Sequence, residues 1–198
     1  MATVIAELSM SLDGFIASRD DQVGPLFDWY GNGPVETVTA FPDRFRFQTS
    51  AASAEYLQQA MRHVRALICG RRLFDIGRWG ENGQPFGVPV FVVTHSVPDG
   101  WPRADAPQPV TFITDGVRSA VEQASAVAGD DGWIGVGGPN VIGQCLRAGL
   151  LDEVRINLVP VLLGDGIRYF DGLGPAELED PTVIEGDRVT HLFYRVRP

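Results

Sequence analysis

Between Trp133 and Pro160 the chain reads WIGVGGPNVIGQCLRAGLLDEVRINLVP, and few folds accommodate that order of residues. Trp133-Ile134-Gly135-Val136 is a short apolar run ending in Gly137-Gly138. Pro139 follows where a first helical residue belongs, its ring already near a helical φ and with no N–H to orphan. Val141, Ile142, Cys145 and Leu146 recur at helical spacing, and Gly149 stands where a helix tolerates a left-handed end. Val154, Ile156 and Leu158 then alternate with Arg155, Asn157 and Val159, the period of a strand. Strand, glycine turn, helix and strand in that order predict an α/β sheet. The turn is also a device for anions, because glycine admits close approach to the backbone and first-turn N–H groups point outward.

Other segments repeat the device. Ala66-Leu67-Ile68-Cys69 is apolar throughout, as a strand buried on both faces must be, and runs into Gly70-Arg71-Arg72 and a short helix. Val88 to Thr94 is another such strand, ending in Thr94-His95-Ser96. In open α/β sheets ligands bind at the carboxyl ends of the strands. Three junctions at one edge favour a dinucleotide there, with arginine forking onto phosphate and the Thr94 and Ser96 hydroxyls bonding its oxygens. Each junction taken alone is also what an ordinary tight turn looks like. The order G-x-G-x-x-G with a following ribose-binding acid is absent, so any nucleotide reader here is of another type.

The remaining segments complete a single domain over residues 1–198. Ala2 to Met10 alternates as a first strand and does not read as a signal peptide. It is followed by a turn at Asp13-Gly14. Residues 24–49 form a long irregular stretch holding Trp29, Tyr30, Phe41, Phe45 and Phe47, which either plugs the edge of the core or closes as a flap over a ligand. Ser53 reads as an N-cap of a helix whose apolar face is Tyr56, Leu57, Ala60, Met61 and Val64. Val117 to Val127 is a further amphipathic helix. Residues 182–185 and 189–196 finish as an antiparallel pair. The expected fold is α/β, a mixed, mostly parallel central sheet with helices on both faces and an antiparallel C-terminal strand pair.

Composition narrows the function. The formal charge is -9, and all sixteen cationic side chains are arginine. That balance argues against nucleic acid as a partner, and the absence of lysine excludes Schiff-base chemistry. No run is long enough to span a membrane. Cys69 and Cys145 each lie inside an apolar element and read as buried thiols in a reducing, cytoplasmic setting. His63, His95 and His191 lack ligand neighbours at useful spacing, so no metal is expected, and His63 and His191 read as structural. For an acid, Asp13, Glu55 and His95 are the candidates. Asp13 doubles as a turn residue and Glu55 as a helix-start charge.

Ser11-Leu12-Asp13-Gly14-Phe15-Ile16-Ala17, Cys69-Gly70-Arg71-Arg72, Val93-Thr94-His95, Gly137-Gly138, Gly149-Leu150-Leu151-Asp152-Glu153 and Pro160-Val161-Leu162-Leu163-Gly164-Asp165-Gly166 occur in that order. The chain thereby resembles the reductase domain of the bifunctional riboflavin-biosynthesis deaminase-reductase, and more broadly the dihydrofolate reductase-like fold. The resemblance implies NADPH across the strand ends. It implies that Arg71, His95 and Ser96 lie toward the 2′-phosphate and adenosine, and Gly70, Arg72 and Thr94 are also expected to bind the cofactor. It places Gly137, Gly138, Pro139 and Asn140 at the pyrophosphate turn, with Gly135 and Val136 also expected to bind the cofactor, and Ala6, Glu7 and Ile16 beside the nicotinamide. Glu55 falls near the substrate-binding acid of dihydrofolate reductases, with Asn157 near its support. Trp29, Tyr30, Trp79 and Tyr169 are expected to shape the substrate pocket. Leu73 replaces a threonine usual in the family, and the zinc signature of the deaminase half is missing. The expected activity is hydride transfer from NADPH to a small heterocycle, either the 5-amino-6-(5-phosphoribosylamino)uracil of riboflavin biosynthesis or a pterin-like compound, by a homodimer. A non-catalytic binding module and a flavin-using reductase are the competing readings.

Overall fold

The computed structural model describes residues 1–197. Its centre is an eight-stranded sheet of β1 (Thr3–Ser11), β5 (Val64–Gly70), β6 (Val90–Val93), β7 (Val110–Ile113), β8 (Trp133–Gly137), β9 (Glu153–Val159), β11 (Thr182–Glu185) and β12 (Thr190–Arg195). The spatial order is β11-β12-β9-β1-β8-β5-β6-β7. From β9 through β7 every pairing is parallel, whereas β12 runs antiparallel to both β9 and β11. The expected mixed sheet with its antiparallel tail is present.

Burial explains the strands. Val4, Ala6, Ile68, Ile134, Val136, Val154 and Ile156 face one side, covered by α4 (Val117–Ala128) and α5 (Pro139–Arg147) through Ala120, Val121, Ala124, Val141, Ile142 and Cys145. Val64, Leu67, Cys69, Val90 and Val92 face the other side, under Ala60 of α1 (Ala51–His63) and Phe74 of α2 (Arg71–Ile76). Strands closed on both faces need the nearly unbroken apolar runs seen in β5 and β6.

Two local expectations change. The first concerns the start of α1. Ser50, not Ser53, is its N-cap, its hydroxyl accepting the Ser53 N–H at 3.3 Å. Ala51 and Ala52 are strong helix formers, so the helix begins three residues earlier and draws Ser53 into the buried face. The second concerns residues 24–49, which are not irregular. They form a 3₁₀ helix over Gly24–Gly31 and a hairpin of β3 (Val35–Thr37) with β4 (Phe47–Thr49). Leu26 and Trp29 on that 3₁₀ helix are buried against Tyr56, Leu57, Val159 and Val189, so this stretch plugs the core. A separate two-stranded ribbon joins β2 (Phe15–Ala17) to β10 (Ile167–Arg168), and α3 (Trp79–Asn82) follows α2.

Candidate functional site

The carboxyl edge of the parallel strands carries three helix starts, and they share one property. α2 after β5, α4 after β7 and α5 after β8 begin at Gly70, Gly116 and Gly138, none with a side-chain cap. By contrast α1, which follows no strand of the central sheet, is capped by Ser50. First-turn N–H groups without a side-chain cap are open to an anion, and the helix dipole favours one. Gly138 sits at φ +88, a conformation that disfavours any side chain. Gly137 is glycine for a different reason, since a Cβ there would stand 2.8 Å from Leu73 Cδ2. Leu73, in place of the family's threonine, packs on the glycine turn instead of offering a hydroxyl.

Arg71 and Arg72 differ in what they leave free. Arg72 is committed, its Nε and Nη2 donating to both carboxylate oxygens of Asp21 at 2.7–3.1 Å. Arg71 donates only through Nε to Asp75, at 2.8 Å, so among the described residues its terminal nitrogens are unused. Thr94 turns its hydroxyl back onto the Ser96 carbonyl at 3.1 Å, while His95 and Ser96 are exposed. Asn140 is exposed at the first turn of α5 and accepts from Gln144 at 2.6 Å. Pro139 occupies the first turn of α5. Val136 is buried in the core and Gly135 lies against Leu67, so these two shape the turn from beneath.

Next to this edge a polar chain crosses the sheet. Glu7 on β1 is half-buried and Oε1 accepts Nδ2 of Asn157, on β9, at 3.0 Å. Asn157 is buried, and its Oδ1 lies 2.6 Å from Nδ1 of His191, which faces it from β12. Nε2 of His191 lies 2.9 Å from the Ser53 hydroxyl. The donors can be assigned from one end. A carboxylate only accepts, so the amide N–H of Asn157 faces Glu7 and its oxygen faces His191. His191 must then donate from Nδ1, which leaves Nε2 to accept from Ser53. Burial holds this ring's pKa down to about 4, so it is neutral near pH 7.

The surroundings of Glu7 are aromatic. Burial pushes the phenols of Tyr56 and Tyr169 well up, and the Glu7 charge adds to both. Tyr30, stacked between Trp29 and Phe47, is raised by burial and then by Glu7. The Tyr56 hydroxyl is buried beside Glu7 without a hydrogen bond of ordinary geometry.

Several expected site residues stand elsewhere. Glu55 is exposed on α1, because the helix turns Ser53, Tyr56 and Leu57 inward and leaves position 55 to solvent. Asn157 therefore supports Glu7, not Glu55. Asp13 is a staple, accepting Ser11 Oγ–H at 2.5 Å and the N–H groups of Leu163 and Gly164 at 3.2 and 2.7 Å. The Ser11 hydroxyl foremost holds its carboxyl below the usual carboxylate range. Trp29 is 1% exposed, with its indole N–H bonded to Ser9, and Tyr169 is 0% exposed, with its hydroxyl on the Arg155 carbonyl. Both side chains are packed in the core. Trp79 packs with Phe74 and Trp101 in the β5–β6–β7 half. Ala6 is buried under α4 and α5, and Ile16 packs at the rim of that cluster. His191 and Ser53 went unrecognised in the sequence. The alternation of β12 puts His191 on the inward face with Phe193, which was the available signal. Arg155 is also buried, with Nη2 2.7 Å from Glu153 and its guanidinium 4.2 Å above the Trp133 ring. A cavity of about 260 Å³ beside it opens at the opposite, amino edge and is separate from the helix starts. Among the described residues no cluster of His, Cys, Asp or Glu is spaced to hold a metal, and no helix is long and apolar enough to cross a membrane.

The model of the RibD C-terminal domain matches residues 2–192. Among solved structures, one from Shewanella sp. PV-4 superposes with a TM-score of 0.67 at 23% identity, covering 100% of both chains. The riboflavin biosynthesis reductase Rib7 of Saccharomyces cerevisiae gives 0.56 at 17% identity, over 100% of this chain and 89% of that one. Dihydrofolate reductase of Enterococcus faecalis, solved with NADP(H), gives 0.56 at 13% identity, over 99% and 97%. At these identities the likeness is one of fold, and the fold is dihydrofolate reductase-like.

Proposed function

We propose that this chain, which belongs to the RibD C-terminal domain family, is a reductase that uses NADPH to reduce a small heterocyclic substrate. The observation that carries the reading is the set of three glycine-started helices at one sheet edge, uncapped where α1 is capped. α5 would take the pyrophosphate at Gly138, Pro139 and Asn140. The free terminal nitrogens of Arg71, with His95 and Ser96, would take the 2′-phosphate. A nicotinamide bound along this edge would reach Glu7, one residue past the Ala6–Val136 pairing. The cofactor supplies a hydride; the protein has only to hold two rings face to face, exclude water and manage one proton. No nucleophile is needed. Rib7 and the Enterococcus enzyme, on the same fold, are a reductase and an NADP(H) binder respectively. The uracil of riboflavin biosynthesis and pterin-like compounds are the substrate classes that fit.

The reading extends to a cytoplasmic homodimer. Both cysteines are free and buried, as a reducing compartment allows, and β11 and β7 each leave one side unpaired for a second copy to cover. Light scattering after gel filtration measures the assembly. Titration of NADPH followed by nicotinamide fluorescence tests the cofactor. Binding at sub-millimolar concentration is expected, weakened at least about tenfold in Gly138→Val, because a branched side chain at positive φ reshapes the α5 start. No binding to the wild type sinks the reading.

A further inference from the structure

We propose that Glu7 is the acid that faces the substrate, and that Asn157, His191 and Ser53 are positioning residues that hold its carboxylate in one orientation. The inference rests on the reductase reading above and deepens it. Glu7 stands on β1 beside the glycine turn of β8, on the sheet face covered by α1. Oε1 is taken by Asn157, whereas among the described residues no hydrogen bond of ordinary geometry reaches Oε2, the Tyr56 hydroxyl lying nearby. Half-buried, Glu7 offers that oxygen to whatever enters.

The chain behind it is ordered in one direction. Ser50 Oγ lies 3.2 Å from Ser53 Oγ, Ser53 donates to His191, His191 to Asn157 and Asn157 to Glu7. Every proton points toward the carboxylate. An amide at the last link makes this a poor proton wire, since Asn157 would have to lose an N–H to pass one on. What the chain does well is orient, because each member has its rotamer fixed by the next. A surface glutamate would not require three buried polar residues drawn from β9, β12 and α1 to hold it. The Tyr56 hydroxyl, 2% exposed as a residue, lies beside the carboxylate and crowds its inner side.

A carboxylate presented this way selects for chemistry. It accepts from N–H groups and repels phosphate, so it faces the ring of the substrate and not a phosphorylated tail. The substrate class is a heterocycle carrying exocyclic amino or ring N–H donors. A hydrogen bond to a charged acceptor is worth enough to shift affinity about ten- to hundredfold.

The test uses the full chain with NADPH bound and 5,6-diaminouracil as probe, read by calorimetry. The wild-type NADPH complex is expected to bind the probe, and Glu7→Gln, held saturated with NADPH, to bind it at least about tenfold more weakly. Asn157→Leu, which keeps the acid but frees it, is expected to lose an intermediate factor. Long-range ¹⁵N–¹H spectra of histidine-labelled protein separate this from misfolding. His191 should show the Nδ1–H tautomer in both wild type and Glu7→Gln, and lose that preference in Asn157→Leu. Unchanged probe affinity in Glu7→Gln, loss of NADPH affinity alone, or a wild-type NADPH complex that ignores the probe each overturns the assignment. A wild type that binds no NADPH instead overturns the reductase reading.

Discussion

Replacing His191 by glutamine should change how the protein's stability depends on pH, and the structure sets the size of the effect. His191 is 0% exposed and its burial lowers the ring's pKa to about 4 from 6.5. The charged and titratable groups around it are Tyr56 of α1, Glu7 of β1 beyond the Asn157 amide, and Arg155 of β9. Because the folded pKa is the lower one, the unfolded chain takes up the proton first as pH falls. Stability from this group is whole above pH 6.5 and is lost between 6.5 and 4. The slope within that window is about 1.4 kcal/mol per pH unit, so the loss is about 2 kcal/mol by pH 5 and about 3 kcal/mol below 4. Glutamine at 191 carries no proton to gain. It keeps one polar contact and leaves either Asn157 or Ser53 unpaired, at a cost of about 1–3 kcal/mol at pH 7.5. Urea unfolding of the two proteins at pH 7.5, 6 and 5 gives the difference directly, since the carboxylates common to both cancel. The wild type should lead at pH 7.5 and lose about 2 kcal/mol of that lead by pH 5. A gap that stays constant to within about 0.5 kcal/mol would refute the buried, neutral ring and the tautomer built on it.

Two further substitutions probe other features. Glu153→Ala removes the carboxylate that accepts Nε and Nη2 of the buried Arg155, leaving a guanidinium without its partner, and should lower unfolding stability by about 3 kcal/mol in denaturant melts. Glu55→Ala should leave stability within about 0.5 kcal/mol and NADPH affinity unchanged by fluorescence titration, because the side chain is exposed and bonded to nothing; loss of cofactor would restore it to the site.

Most of the fold could be read from periodicity, and the edge that carries the glycine-started helices from its glycines. Ala66 to Cys69 and Trp133 to Val136 are short apolar runs that end in glycine, and each is followed by a helix in the structure. The outward position of Glu55 is not legible in the sequence, for a reason that lies in helix phase. Tyr56, Leu57 and Ala60 define the inward face of α1, which sends Glu55 outward, but a helix start misplaced at Ser53 obscures that phase. Aromatic residues misled differently. Trp29 and Tyr169 have the size and polarity of pocket residues, yet each hides its polar atom in a hydrogen bond inside the core. Nothing in local sequence separates those fates, because the partners, Ser9 and the Arg155 carbonyl, are brought in by strands distant along the chain. The partner of Asn157 is hidden for the same reason: Glu7 lies on β1, next to β9 only in space.

The antiparallel end of the sheet has a consequence for the order in which the protein can become competent. Glu7 on β1 is synthesised long before His191 on β12, and the two are joined through a single amide. A nascent chain lacking β12 would already contain the parallel strands, the glycine turns and Asn157. It would lack the ring that tells the amide which way to face. On the proposed reductase reading, cofactor affinity should therefore emerge earlier during synthesis than substrate selectivity, which must wait for the strand that lies beside β9.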